Sequence, residues 1–226
     1  MSTKENQMGV AAALFDMDGT LTDSEILWFE AEKAVFARYG KSWNDGDQND
    51  LIGRAIEDSC RLLVSRLDLP LTPAELAPLL VDEVIHQAKT RGMPWRPGAR
   101  ELIDECVQAG IPTALVTSSY ADFAQLTLDA CPDLTVAVTG DEVPAGRGKP
   151  DPLPYRLAAE KLGVDIRDCV AFEDSDPGIR SAHASGALTV AIPFQVPIPP
   201  LDGLVIVDSL ADLSIPYLEK LLAARQ

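Results

Sequence analysis

The chain has 226 residues, of which 46% are hydrophobic, and a formal net charge of −16; it is long and apolar enough for one large domain or a domain carrying a smaller insert. Such acidity argues against nucleic acid and anionic membranes as main partners and demands a local positive site for any anionic substrate. No apolar run reaches the ~18 residues of a membrane span, Met1 to Gly9 reads as no secretory signal, and Cys60, Cys106, Cys131 and Cys169 lack CxxC spacing, so buried thiols in a reducing cytoplasm are expected.

The first element is the apolar run Val10 to Phe15, a buried strand, followed at once by Asp16-Met17-Asp18-Gly19-Thr20. In an open parallel sheet the C-terminal ends of strands face the ligand crevice, so carboxylates at i and i+2 there point at a substrate. One can attack while the other moves a proton. Gly19 lets the backbone turn away, and the Thr20 hydroxyl can tie the loop back to a carboxylate. An ordinary solvated turn is the alternative. An EF-hand is excluded, because the positions for its glycine and glutamate hold Leu21 and Leu27.

Three amphipathic helices are expected next: Ser24 to Tyr39 with Gly40 as a stop, Ile56 to Leu67, and Thr72 to about Arg91. Thr72 as N-cap, Pro73 at the first position and Glu75 form a capping-box signature. Residues 22–94 thus form a helical insert of about 70 residues between the first strand and the rest of its sheet. An insert entering there can act as a lid that excludes water and reads the distal part of a substrate; a helical embellishment that only buries surface is the alternative.

From Pro97 the pattern alternates: helix Gly98 to Ala109, strand Thr113 to Val116, helix Ala121 to Ala130, strand Thr135 to Val138, a helix after Asp151-Pro152, strand Cys169 to Phe172, a helix capped by Asp176 and closed by Gly186, strand Leu188 to Ile192, and a short strand Leu204 to Val207. Strands alternating with helices predict an α/β fold, a Rossmann-like doubly wound parallel sheet. The domain boundaries expected are 1–21 with 95–226 for the α/β core and 22–94 for the helical insert.

Three further strand ends or loops carry polar residues. Thr117-Ser118-Ser119 offers hydroxyls and N–H groups to a phosphate oxygen. Lys149, in Gly146-Arg147-Gly148-Lys149-Pro150-Asp151, offers one ammonium; the order lacks the Ser or Thr of a Walker motif. Glu173-Asp174 is an acidic pair suited to a hard cation, and Mg²⁺ with Asp16, the Asp18 carbonyl and Asp174 as ligands would offset the repulsion between carboxylates and a phosphate.

In this order the motifs resemble those of the haloacid dehalogenase superfamily: Phe15-Asp16-Met17-Asp18-Gly19-Thr20-Leu21 the first, Thr117 the second, Lys149 the third and Glu173-Asp174 the fourth. The resemblance implies Asp16 as nucleophile, Asp18 as acid/base, Thr117, Ser118 and Lys149 as phosphate ligands, and a Mg²⁺ site of Asp16, Asp18, Asp174 and Glu173, the last directly or from behind. The insert, with Asp23-Ser24-Glu25, resembles the cap of the subgroup containing β-phosphoglucomutase and small sugar-phosphate phosphatases. A second aspartate at Asp18 fits phosphoryl transfer, since an alkoxide leaving group needs a proton. Trp28 and Ile56 stand where that mutase has a histidine and an arginine, which favours a phosphatase acting on a small phosphorylated metabolite such as a sugar or polyol phosphate. A phosphomutase, with Arg54 on a second phosphate, and a non-catalytic phosphometabolite-binding protein are the alternatives. Glu25, Trp28 and Arg54 are the cap candidates for substrate contact, with core packing or a solvated surface as their alternatives. His86 and His183 receive no role, Trp43 lies in a polar loop of no assigned function, and a mobile lid is compatible with a monomer.

Overall fold

The computed structural model describes residues 9–48, 50–51 and 56–225. In chain order the elements are β1 (Ala12–Phe15), α1 (Glu25–Ala37), α2 (Ile56–Leu67), α3 (Pro73–Arg91), α4 (Ala99–Gln108), β2 (Thr113–Val116), α5 (Ala121–Ala130), β3 (Val136–Val138), α6 (Leu153–Leu162), β4 (Cys169–Glu173), α7 (Asp176–Ser185), β5 (Leu188–Ala191), β6 (Val205–Ile206) and α8 (Ile215–Ala224). They divide into two compact units, Met1–Thr22 with Trp95–Gln226, and Asp23–Pro94. The chain crosses between them twice. Thr22 pairs with Trp95 in an antiparallel bridge on the first side, and Asp23 N–H donates to Pro94 O at 2.8 Å on the second.

The first unit is α/β: a six-stranded sheet in the order β3-β2-β1-β4-β5-β6, with every pair parallel. Ala12, Ala13, Leu14 and Phe15 are all fully buried. Because alternate residues face opposite sides, this means both faces of the central strand are covered, as a parallel sheet requires. On one face Ala12 and Leu14 pack with Ala114, Ala171 and, from α6, Tyr155 and Ala158. Phe15 stacks on its β4 neighbour Phe172 with ring centroids 4.7 Å apart. From β1 the chain builds outward to β2 and β3, then returns to place β4 on β1's other side. This reversal opens a crevice at the C-terminal ends of β1 and β4.

Local chemistry sets most element boundaries. Thr72 and Glu75 cap α3 reciprocally, so two orphan N–H groups are satisfied at its first turn. At α7 the expectation needs correction: the N-cap is Ser175, whose hydroxyl accepts from Gly178 N–H, while Asp176 stands one position later and pairs with Arg180. Ser175 takes the cap because its extended backbone aims the hydroxyl at the open N–H groups. The C-terminal helix α8, which the sequence reading did not include, has Ile215, Leu218 and Leu222 buried.

Among the described residues the second unit has three helices, with α1 and α2 both packed on α3. Its core contains Val35, Phe36, Trp43, Cys60, Leu63, Leu76 and Leu80. Trp43 is buried; its indole N–H donates to Glu32 Oε2 at 2.8 Å, its ring meets Phe36 edge-on, and Arg66 lies over it. The polar loop around Trp43 is therefore anchored in the core of this unit. All four cysteines are free and buried.

Candidate active site

Strand register assembles the site. Phe15 is opposite Phe172 on β4 and Leu115 on β2, so Asp16, one residue on, lies between Glu173 and Val116. Asp16 N–H continues the ladder to Phe172 O at 3.1 Å. The turn that follows closes on Met17, whose carbonyl accepts from Leu21 and Thr22 N–H at 3.0 and 2.9 Å. Met17 itself is buried, and its Sδ accepts from Thr127 Oγ1 at 3.2 Å. Gly19 has φ +90°, and a Cβ there would stand 2.1 Å from Asp174 Oδ2. Only glycine permits both the left-handed turn and that close approach. Thr20 Oγ1 donates to Asp174 Oδ1 at 3.1 Å, the tie expected of it.

Lys149 is the positive centre. Its Nζ donates to Asp16 Oδ1 at 2.6 Å, Val116 O at 2.8 Å and Glu173 Oε1 at 2.5 Å, which uses all three ammonium protons. Burial works against its charge, but the Asp16 and Glu173 carboxylates outweigh this and hold its pKa above the ordinary lysine value. Asp16, Glu173 and Asp174 are buried, with a carboxylate oxygen from each within 4.8 Å of the others. Burial and the neighbouring Glu173 raise Asp16 well above the usual carboxylate range. The same two causes, in the same order, push Asp174 up to about 7. Three carboxylates share one buried ammonium, so the donor set is all oxygen and its charge is undercompensated. A divalent hard cation fits both properties.

Asp18 faces the other way. Its Oδ2 accepts from Ser119 Oγ at 2.7 Å and Thr117 Oγ1 at 3.3 Å, and Thr117 Oγ1 in turn accepts from Ser119 N–H at 2.9 Å. The Asp18 carboxylate thus stands outside the three-acid cluster, oriented by the hydroxyls that end β2. Ser118 is exposed and packs its carbonyl where a Cβ on Gly140 would come within 2.1 Å. Thr117, Ser118 and Lys149 together line a cavity of about 140 Å³.

A turn with two aspartates, a buried lysine and an acidic pair on the next strand is the arrangement of one family of hydrolases, and the model of haloacid dehalogenase-like hydrolases matches residues 10–186. The chain belongs to that family. Validoxylamine A 7'-phosphate phosphatase of Streptomyces hygroscopicus subsp. limoneus is 34% identical over 190 residues, 80% of this chain and 84% of that protein. The phosphorylated carbohydrates phosphatase of Thermotoga maritima is 32% identical over 182 residues, 77% of this chain and 81% of that protein. Among solved structures, CbbY from Rhodobacter sphaeroides in complex with phosphate matches with a TM-score of 0.75 at 28% identity, covering 90% of this chain and 96% of that one.

The site of this haloacid dehalogenase-like hydrolase holds residues that sequence reasoning missed. Tyr155, fully buried on α6, donates to Glu173 Oε1 at 2.8 Å. Its signal was present: Tyr155, Ala158 and Ala159 form the buried stripe of α6, and a phenol in such a stripe needs a hydrogen-bond partner. Ser119, grouped in the sequence with Thr117 and Ser118, gives its hydroxyl to Asp18. Arg96 donates to Gly19 O and lies 4.1 Å from the Phe194 ring centroid; no sequence periodicity announces either contact. In the helical unit Glu25 begins α1 and is half-buried. Trp28 is half-buried against that unit's core. Arg54 lies outside the described residues. Among the described residues no helix is long and apolar enough to cross a membrane.

Proposed function

We propose that the protein is a Mg²⁺-dependent phosphatase that hydrolyses a monoester of a small phosphorylated metabolite, a sugar or polyol phosphate, through an aspartyl-phosphate on Asp16. The observation that carries this is the placement of two carboxylates of one turn in opposite surroundings. Asp16 lies buried against Lys149 at 2.6 Å, and Asp18 is oriented by Thr117 and Ser119. Environments that separate two neighbouring acids divide the roles of nucleophile and acid/base between them.

An Asp16 oxygen attacks phosphorus as the ester oxygen leaves, and Asp18 gives that oxygen its proton. Asp18, now a base, takes a proton from water as the water oxygen attacks phosphorus. Inorganic phosphate leaves and Asp16 is regenerated. Lys149, Thr117 and Ser118 hold the phosphoryl oxygens, so that charge developing on them meets a preorganised cation and donors. Asp16, Asp174 and the Asp18 carbonyl would hold Mg²⁺, which when bound neutralises phosphate charge. The five hydrogen bonds that Glu173 accepts from protein donors support a position behind these ligands. The helical unit is the cap, supported by its insertion directly after the Asp16–Thr22 turn, and Glu25, Trp28 and Arg54 are assigned the choice of substrate. Four buried free thiols support a cytoplasmic home.

The test is phosphate release, with and without Mg²⁺, from sugar phosphates, polyol phosphates, phosphoglycolate and nucleoside monophosphates, with Asp16→Asn as control. Magnesium-dependent release that vanishes in the variant is expected. Conversion of glucose 1-phosphate to the 6-phosphate without release would replace the phosphatase by a mutase. Metabolite binding unchanged in the variant, without turnover, would replace it by a binding protein.

A further inference from the structure

We infer that Tyr155 is a positioning residue for the phosphoryl-transfer step, its hydroxyl fixing the Glu173 carboxylate that in turn aims Lys149 at the reacting phosphoryl group. This rests on the phosphatase reading above and extends it to a residue with no contact to the substrate.

Glu173 Oε2 accepts from the N–H groups of Asp174 and Ser175 and from Ser175 Oγ, at 3.2, 3.4 and 3.2 Å. Oε1 accepts from Lys149 at 2.5 Å and Tyr155 at 2.8 Å. The backbone donors of the β4–α7 turn hold one oxygen, and the other is divided between the lysine and the phenol. The Tyr155 ring completes the enclosure, with Lys149 Nζ 5.3 Å from its centroid and favoured there electrostatically. Gly178 leaves room for the arrangement: a Cβ at that position would fall 2.0 Å from the Glu173 carboxylate.

The consequence concerns Lys149. To meet a phosphoryl oxygen, its ammonium must turn a proton away from one of three protein acceptors. If Glu173 could follow the lysine, the ammonium would drift with it; a carboxylate fixed by the phenol and the turn keeps Nζ in place while one bond is exchanged. Such preorganisation acts in the transition state, where charge on the phosphoryl oxygens is redistributed.

Tyr155→Phe keeps the ring in the core and removes only the hydroxyl. With the best substrate of the panel, kcat is expected to fall roughly tenfold with KM within about twofold, the signature of an interaction made in the transition state. Calorimetric affinity for orthovanadate in the presence of Mg²⁺ should fall in step with kcat. Added to Glu173→Gln, Tyr155→Phe should cost less than about twofold more, because both act through one carboxylate; orthovanadate affinity carries this cycle if Glu173→Gln turns over too slowly. A lower Tm with unchanged kcat per folded molecule and unchanged orthovanadate affinity would make Tyr155 a core residue only and overturn the inference, as would fully multiplicative losses in the double variant. Tyr155→Met, which fills the core without a hydroxyl, gives the same decision if the phenylalanine variant fails to fold. An active Asp16→Asn would instead overturn the phosphatase reading. An inactive Asp16→Asn beside an unaltered Tyr155→Phe overturns only the role of Tyr155.

Discussion

Asp16 and Glu32 are buried carboxylates, one in each unit, and their surroundings are opposite. At the end of β1, Asp16 and Glu173 are held against the Lys149 ammonium at 2.6 and 2.5 Å, so each buried carboxylate has a fixed cation beside it. In the helical unit Glu32 is 5% exposed and its partner is the neutral Trp43 indole. Burial, opposed by that hydrogen bond, pushes Glu32 up to about 8, so it is largely protonated near neutral pH. A buried acid beside a fixed cation can act as a nucleophile; one that keeps its proton serves as a polar tie in a core.

The contrast is broken most sharply by Asp16→Asn. The variant should stay folded, since removing one of three crowded carboxylates relieves repulsion, and should lose kcat by ~10³-fold or more, as removal of a nucleophile does. Circular dichroism together with phosphate release checks both halves. Gly19→Ala comes next. Its methyl would collide with Asp174 and its backbone would sit at positive φ, so a loss of about 1–3 kcal/mol in stability is expected from the backbone strain. Denaturant unfolding measures it, and activity should fall too because Asp174 is displaced.

In the helical unit the comparison is tested by pH. Glu32 has a folded value of about 8 against an ordinary 4.5, so between those values the native state holds a proton that the unfolded chain has released. Stability from this group is therefore full below about pH 4.5 and lost as pH rises through about 8. Glu32→Gln keeps an acceptor for Trp43 and removes the titration, so its Tm should decline less than that of the parent across this window. Trp43 fluorescence follows the same group. The smallest effect expected is Thr72→Ala, about 1 kcal/mol from loss of the α3 cap, with phosphate release unchanged.

How much of this was legible in the sequence follows from how local each signal is. The helix Ile56–Leu67 and the strand Thr113–Val116 read correctly from hydrophobic periodicity. The Thr72 capping box and the Gly19 turn were equally plain, because their partners lie within a few residues or their backbone demands are specific to one residue type. Asp16, Asp18, Lys149 and Glu173-Asp174 stood out as polar residues at strand ends or in a glycine-shaped loop. The cap of α7 was misassigned to Asp176 because both Ser175 and Asp176 have the right chemistry, and only the backbone angle at Ser175 chooses between them.

The sequence by itself determined most of the elements, their alternation and the chemical types at the crevice, since these depend on period, caps and turn residues over short spans. Tertiary structure alone decided that Lys149 would spend its three protons on Asp16, Val116 and Glu173, that Tyr155 would share Glu173 with it, and that Trp43 would reach Glu32. Each of those contacts joins residues that local propensity treats as independent. The contacts of Lys149 and Tyr155 form only because parallel pairing of β1 with β2 and β4, and packing of helices on their faces, bring distant stretches of chain within hydrogen-bond range; that of Trp43 forms because its ring packs in the core of the helical unit.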